Sequence, residues 1–254
     1  MIPLPLLLAL AAVSPPVLTV FAAASLTDAF EELGGLYRRR HEGSDVRFNF
    51  AGSQQLAAQL EHGADADVFA SADQRWMAHV RRLGLAREQP VVFARNRLVV
   101  VLPRSNPGRI ERLQDLARAG VKLVLAAESV PAGRYSREML GRLTGRPDFA
   151  PGYDRRALAN VVSEEENVKG VVAKVQLGEA DAGVVYASDV TGEIGGRVRV
   201  LDIPEEANVI ASYPIVALAA SSRPEAARAF IQLVRGPEGQ AILAKHGLLP
   251  PAAP

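Results

Sequence analysis

Apolar residues in this chain recur in a two-part unit. A short β-branched or alternating run comes first, and a segment with apolar positions every three or four residues follows it. The first unit is the clearest. Val17, Leu18, Val20 and Phe21 form an apolar run that thins to three alanines and meets Ser25; Leu26, Ala29, Phe30, Leu33 and Tyr37 then repeat at helical spacing. This pattern predicts a buried strand feeding a helix, with Ser25 as its N-cap and Asp28 in its first turn. A helix begun this way turns free backbone N–H groups toward whatever lies beside Ser25, the geometry of an anion site.

The unit repeats. A strand over 45–50 (DVRFNF) alternates apolar and polar residues, and Ala51-Gly52-Ser53 opens a helix over 54–62 that Gly63 stops. A strand over 68–70 leads through Ser71-Ala72-Asp73 into a helix carrying Trp76, Met77, Val80 and Leu83, closed by Gly84. Residues 98–102 (LVVVL) read as a fully buried strand. Beyond it the pattern predicts a helix over 109–119, a strand over 121–127, and a helix over 134–143 after Val130-Pro131-Ala132-Gly133. Past a less regular, proline-containing stretch, Glu164-Glu165-Glu166-Asn167 starts a helix over 168–177, and a strand over 182–186 follows. Residues 198–201 and 209–218 lead into two C-terminal helices, with Pro224 and Pro237 at their first positions.

Strand–helix alternation at this rhythm indicates an α/β fold built on mostly parallel sheets with right-handed crossovers. Two half-size α/β groups are visible, and the C-terminal segment is too short for a third. The expected division is 17–96 plus 205–254 for one lobe and 97–204 for the other, with two chain crossings between them.

Composition narrows the function. The chain has 254 residues, 48% hydrophobic and 22% charged, enough to bury a substantial core. The net charge of +1 gives no reason to expect nucleic acid or an anionic membrane as partner. There are no cysteines, which removes disulfides, thiolate metal sites and a cysteine nucleophile together. Residues 1–14 (MIPLPLLLALAAVS) are apolar, too short to span a bilayer and followed by small residues, which fits an export signal over 1–16 cleaved between Ala11 and Pro16, though no Lys or Arg precedes the run.

The chemistry is sparse. The four histidines, at 41, 62, 79 and 246, lack metal-ligand spacing. Asp65 and Asp67 could pair on a divalent cation, but a loop-to-strand turn explains them better. No nucleophile-elbow, Walker, dinucleotide or zincin motif occurs. What remains is a set of strand-to-helix junctions, at Ser25, at Ser53, at Ala132-Gly133 and at Asn167-Val168. Tyr186 adds to these at the carboxyl end of a strand, where open α/β sheets place ligands. Converging between two lobes, they would form a pocket of hydroxyls and backbone N–H groups with no obligatory cation, suited to a fully deprotonated oxyanion.

The segments TVFAAASLTDAF, FAGSQQLAAQLEHGADADVFASADQRWM, RLVVVLP, VPAGRYSREML, ENVKGVVAKV, GVVYASD and YPIVAL, in this order, resemble the periplasmic molybdate-binding proteins of bacterial ABC transporters. The resemblance implies a two-lobed periplasmic-binding-protein fold with a ligand cleft between lobes. It implies a monomeric, non-enzymatic receptor that takes molybdate or tungstate in the periplasm and hands it to a membrane permease. It also implies a ligand set of Ser25, Ser53, Ala132, Val168 and Tyr186, with no cofactor and no free metal cation, molybdenum being held as its oxyanion. Two departures stand out. The Ser53 turn (AGSQQ) is poor in spare hydroxyls, and Glu164-Glu165-Glu166 beside Val168 would repel a dianion unless it faces solvent. Arg134 could add charge to the site. The alternatives are a receptor for another tetrahedral oxyanion such as sulfate and, more remotely, a serine hydrolase using Ser25 or Ser53.

Overall fold

The structure, a computed structural model, describes residues 17–86 and 88–252; the expected export signal over 1–16 lies outside them. Two five-stranded sheets organise the chain. The first contains β1 (Val17–Ala23), β2 (Asp45–Ala51), β3 (Val68–Ala70), β4 (Val91–Asn96) and β10 (Ala211–Ala217), in the order β2-β1-β3-β10-β4. The second contains β5 (Leu98–Pro103), β6 (Leu123–Ala126), β7 (Val161–Glu165), β8 (Ala182–Tyr186) and β9 (Val198–Asp202), in the order β7-β6-β8-β5-β9. The sheets share one plan. Three neighbouring strands run parallel, and an antiparallel strand, β10 or β5, separates them from an edge strand pointing the same way as the three. Four strands of five therefore share a direction in each sheet, as the βα rhythm predicts. The two inverted strands are those entered by passage from one sheet to the other, β4 to β5 through Arg97 and β9 to β10 through residues 203–210.

Helices cover both sheets. In the first lobe α1 (Thr27–Arg40), α8 (Pro224–Arg235) and α9 (Pro237–Lys245) lie on one side, where Phe30 meets the rings of Phe48, Phe93 and Phe230 at centroid distances of 5.8–6.1 Å. On the opposite face α2 (Ser53–Glu61) and α3 (Gln74–Arg82) bury Leu56, Leu60, Met77 and Val80 against Phe21, Phe69 and Val216. Strict alternation along β1 places Val20 and Phe21 on these two opposite sides, the mark of a sheet buried on both faces. In the second lobe α4 (Pro131–Thr144), α5 (Tyr153–Ala159) and α6 (Val168–Gln176) do the covering, and a short α7 (Gly192–Arg197) precedes β9. None of the described helices is long and apolar enough to cross a membrane.

Several local expectations are corrected. The helix predicted over 109–119 is only a 3-10 turn at Leu113–Ala117. Arg109 takes a positive φ of 49°, and the Asp115 carboxylate accepts the N–H groups of Glu111 and Arg112, which cap a single turn rather than a longer helix. The helix expected over 134–143 starts earlier, at Pro131, a residue with no N–H to lose at the first helical position. Glu164 and Glu165 do not start a helix; they end β7, and the cap of α6 is Asn167, whose side chain accepts the Gly170 N–H at 3.2 Å.

Candidate functional site

Ser25, Ser53, Ala132, Val168 and Tyr186 all line one cavity between the two sheets, together with Ala24, Gly52, Ala72, Val130 and Asn167. The cavity is nearly closed by its lining: about 10 Å3 is open to a water-sized sphere, room for roughly one water molecule and far below the ~300–1,000 Å3 of pockets for drug-sized molecules. The parallel strands end on it: β1 delivers Ser25, β2 delivers Ser53 and β8 delivers Tyr186.

Ser25 reaches the cavity by a different route from the one expected. It lies within a 3-10 turn, Ala24–Leu26, that precedes α1, and it caps nothing. Its hydroxyl lies 2.8 Å from the Tyr213 hydroxyl. The turn that holds it is closed by Thr27, whose hydroxyl donates to the Ala24 carbonyl at 2.7 Å. Ser53 is the first residue of α2 and 1% exposed. Its hydroxyl oxygen accepts the Ala72 N–H at 2.9 Å.

From the other side come helix N-termini. Ala132 is the second residue of α4, and the first intrahelical bond there is donated by Arg134 N–H to the Val130 carbonyl. Ala132 N–H thus belongs to the unpaired first turn. Gly133 is obligatory here, because a Cβ at this position would strike the carbonyl oxygens of Ala126 and Ala127. Val168 opens α6 in the same manner. Tyr186 is 1% exposed, and its hydroxyl has no hydrogen-bond partner among the described residues. Burial pushes its phenol well above the usual tyrosine range, so it remains a neutral donor.

The charged residues near the cavity are engaged elsewhere. Arg134 lines no part of it; its guanidinium pairs with buried Asp73 at 3.2 Å and lies over the Tyr135 ring. Glu164 pairs with Arg137, and Glu165 with Lys174 at 2.9 Å. Glu166 is exposed and outside the cavity lining, as an acidic residue beside an anion site must be, and it also bridges the lobes: its carbonyl accepts Gln54 Nε2 at 2.7 Å and its carboxylate accepts Gln55 Nε2 at 2.9 Å. Trp76 Nε1, donating to the Ser129 carbonyl at 2.9 Å, and Lys169, paired with Asp28 at 2.9 Å, add further ties between the lobes. Asp65 and Asp67 do not form a cation pair. Asp67 accepts Thr19 N–H and the Ser221 hydroxyl and so ties β1 to the C-terminal segment, while Asp65 is exposed.

Sequence reasoning missed Tyr213, Asn96 and Ser188, which lie behind Ser25 in one buried polar cluster. Asn96 leaves a trace in the sequence, an amide between the apolar runs VVFA and LVVVL.

Residues 18–249 match the model of a family described as bacterial extracellular solute-binding protein. The chain belongs to this family. As a solute-binding protein it is 40% identical over 234 residues to the molybdate-binding protein ModA of Mycobacterium tuberculosis, covering 92% of this chain and 85% of that one. Among solved structures it is similar to the periplasmic molybdate-binding protein of Azotobacter vinelandii, with a TM-score of 0.80 and 21% identity over 92% of this chain and all of the other. It is also similar to the sulfate-binding protein SubI of Mycobacterium tuberculosis, with a TM-score of 0.78 and 16% identity over 92% and 87% of the two chains. At these identities the two structures establish the two-lobed fold alone.

Proposed function

We propose that this solute-binding protein captures molybdate, and also tungstate, in the cavity between its lobes and delivers it to the permease of an ABC transporter in the periplasmic space. Ser25, Ser53 and Tyr186 donate through hydroxyls, and Ala132 and Val168 through backbone N–H groups. The protein acts as a monomer hinged at the two passages between sheets.

One observation carries this reading: every polar group brought to the cavity by the five residues is a donor or a hydroxyl able to donate, and the buried Tyr186 hydroxyl has no partner among the described residues. A dianion with four acceptor oxygens uses such a set completely. A protonated phosphate would bring a proton that none of the five can accept through a carboxylate. The names of the relatives at 40% identity give molybdate preference over sulfate. Charge-assisted hydrogen bonds contribute about 1.5–3 kcal/mol each, so a handful of them offsets the cost of ordering and leaves the ~8–12 kcal/mol of micromolar-to-nanomolar binding. Binding without turnover is supported by the partners of the two serines, a tyrosine hydroxyl and a backbone N–H, neither of which is a general base.

Thermal-shift titration with molybdate, tungstate, sulfate and phosphate tests the proposal, because stabilisation follows affinity. Molybdate and tungstate should raise the midpoint at micromolar concentrations and phosphate should not. Greater stabilisation by sulfate than by molybdate would reassign the ligand.

A further inference from the structure

The hydrogen bonds behind Ser25 run in one direction. Asn96, at the end of β4, is fully buried, and its Oδ1 accepts the Arg97 N–H at 3.0 Å. That bond fixes which end of the amide is which. Nδ2 therefore faces the Ser188 hydroxyl at 2.8 Å and the Tyr213 hydroxyl at 3.4 Å. An amide nitrogen only donates, so the Tyr213 oxygen is an acceptor on this side. The one other polar neighbour of the Tyr213 hydroxyl among the described residues is Ser25 Oγ, at 2.8 Å. Were Ser25 the donor there, the phenolic proton would be buried with no acceptor. Satisfaction of the whole cluster requires Tyr213 to donate to Ser25, which leaves the Ser25 proton for the cavity.

Ser53 is set the same way by unrelated means, since the Ala72 N–H occupies its oxygen from behind. Burial also raises the Tyr213 phenol above its usual range, so the proton it passes forward is present at any physiological pH.

We propose that Asn96 and Tyr213 are positioning residues that fix the proton polarity of the cleft: Asn96 commits Tyr213 to donate, Tyr213 commits Ser25 to donate, and the cleft thereby selects fully deprotonated oxyanions over those carrying an O–H. This assignment rests on the oxyanion reading above for its ligand, although the polarity itself is a property of the protein.

Neutron diffraction from deuterium-exchanged crystals of the full chain, grown without oxyanion and with molybdate, tests it directly. The Tyr213 deuteron should lie on the line to Ser25 Oγ, and the Ser25 deuteron should turn toward the cavity. A deuteron bonded to Ser25 and aimed at Tyr213 in either crystal overturns the proposal. A failure of molybdate to bind removes the function proposed above but leaves the polarity readable in the oxyanion-free crystal. Calorimetry supplies the second readout. Tyr213→Phe, which leaves Ser25 free to donate, should weaken molybdate binding about 10-fold. Asn96→Asp gives Tyr213 an acceptor on the far side and releases Ser25 from its commitment. It should weaken molybdate binding about 100-fold and narrow the preference for molybdate over hydrogen phosphate, which a merely structural defect would leave unchanged. Unaltered molybdate affinity or an unaltered preference in a folded Asn96→Asp protein overturns the proposal.

Discussion

The two walls of the cavity are built on opposite principles. The wall from the first sheet offers side-chain hydroxyls, Ser25 and Ser53, and each has a protein partner behind it. The wall from the second sheet offers two backbone N–H groups at the starts of α4 and α6 and a phenol with nothing behind it. The difference teaches where precision comes from. A serine rotates about its Cα–Cβ bond and needs a second bond to aim it. A helix N-terminus is aimed by its own backbone, provided that neighbours allow the approach, as Gly133 does.

The sharpest way to break the comparison is to delete a backbone donor while keeping its helix. Val168→Pro does this, because proline is accepted at the first helical position and Asn167 is already extended at φ −157°, ψ 168°. The variant should keep its fold and lose about 100-fold or more in molybdate affinity by calorimetry, from a lost charge-assisted bond and a reshaped buried side chain. Undiminished affinity would mean that the second wall contributes by shape alone.

Tyr186→Phe comes next. It should cost about 10- to 100-fold in affinity. The empty protein should be no less stable in thermal unfolding, since the hydroxyl has no partner to lose among the described residues. The corresponding change on the first wall, Ser53→Ala, should instead lower the unfolding midpoint of the empty protein as well, because it strands the Ala72 N–H.

Asp189, three residues past Tyr186, sharpens the contrast in pH. Its Oδ2 accepts the Tyr186 N–H at 3.0 Å, but its Oδ1 has no hydrogen-bond partner among the described residues and Lys169 is 3.9 Å away. Burial raises its carboxyl to about 6. A carboxyl raised in the folded state favours folding while both states are protonated, below pH ~4, and that advantage is lost as pH rises toward 6. Asp189→Asn should therefore be more stable than the parent at pH 8 by on the order of 2–3 kcal/mol. The difference should shrink toward pH 4 in denaturant titrations; an equal difference at both values would remove Asp189 as its source.

The smallest effect is expected from Arg134→Ala. With its guanidinium committed to Asp73 and outside the cavity lining, its loss should change molybdate affinity by less than about 5-fold, through weaker lobe-to-lobe contact. A loss as large as that of Tyr186→Phe would show that positive charge reaches the ligand and that the donor-only account fails.

Much of this was legible beforehand where local pattern and tertiary burial agree. The strand over 68–70 and the helix ends at Gly63 and Gly84, both at positive φ, follow from apolar spacing and glycine's freedom alone. The five cavity residues were reached through the resemblance, and their junctions through capping chemistry. The β4 strand went unseen because VVFARN ends in two polar residues and lies one residue from LVVVL, so a single strand assignment over the latter concealed two strands in different sheets. The true role of Ser25 was hidden for a different reason: its partner is 188 residues away in sequence, and no local rule favours a tyrosine hydroxyl over the serine's own helix.

Asn208 lies in the second passage between the sheets, and its amide bonds both to Leu98 N–H, at 3.0 Å, and to Leu98 carbonyl, at 2.9 Å, at the end of the first. The side chain thereby imitates one rung of a β-ladder and splices two separate linkers into a single narrow ribbon. Such a ribbon resists sliding and stretching but yields to torsion. Under the function proposed above, opening of the cavity would turn the two lobes about one shared axle, and the anion would leave by that rotation.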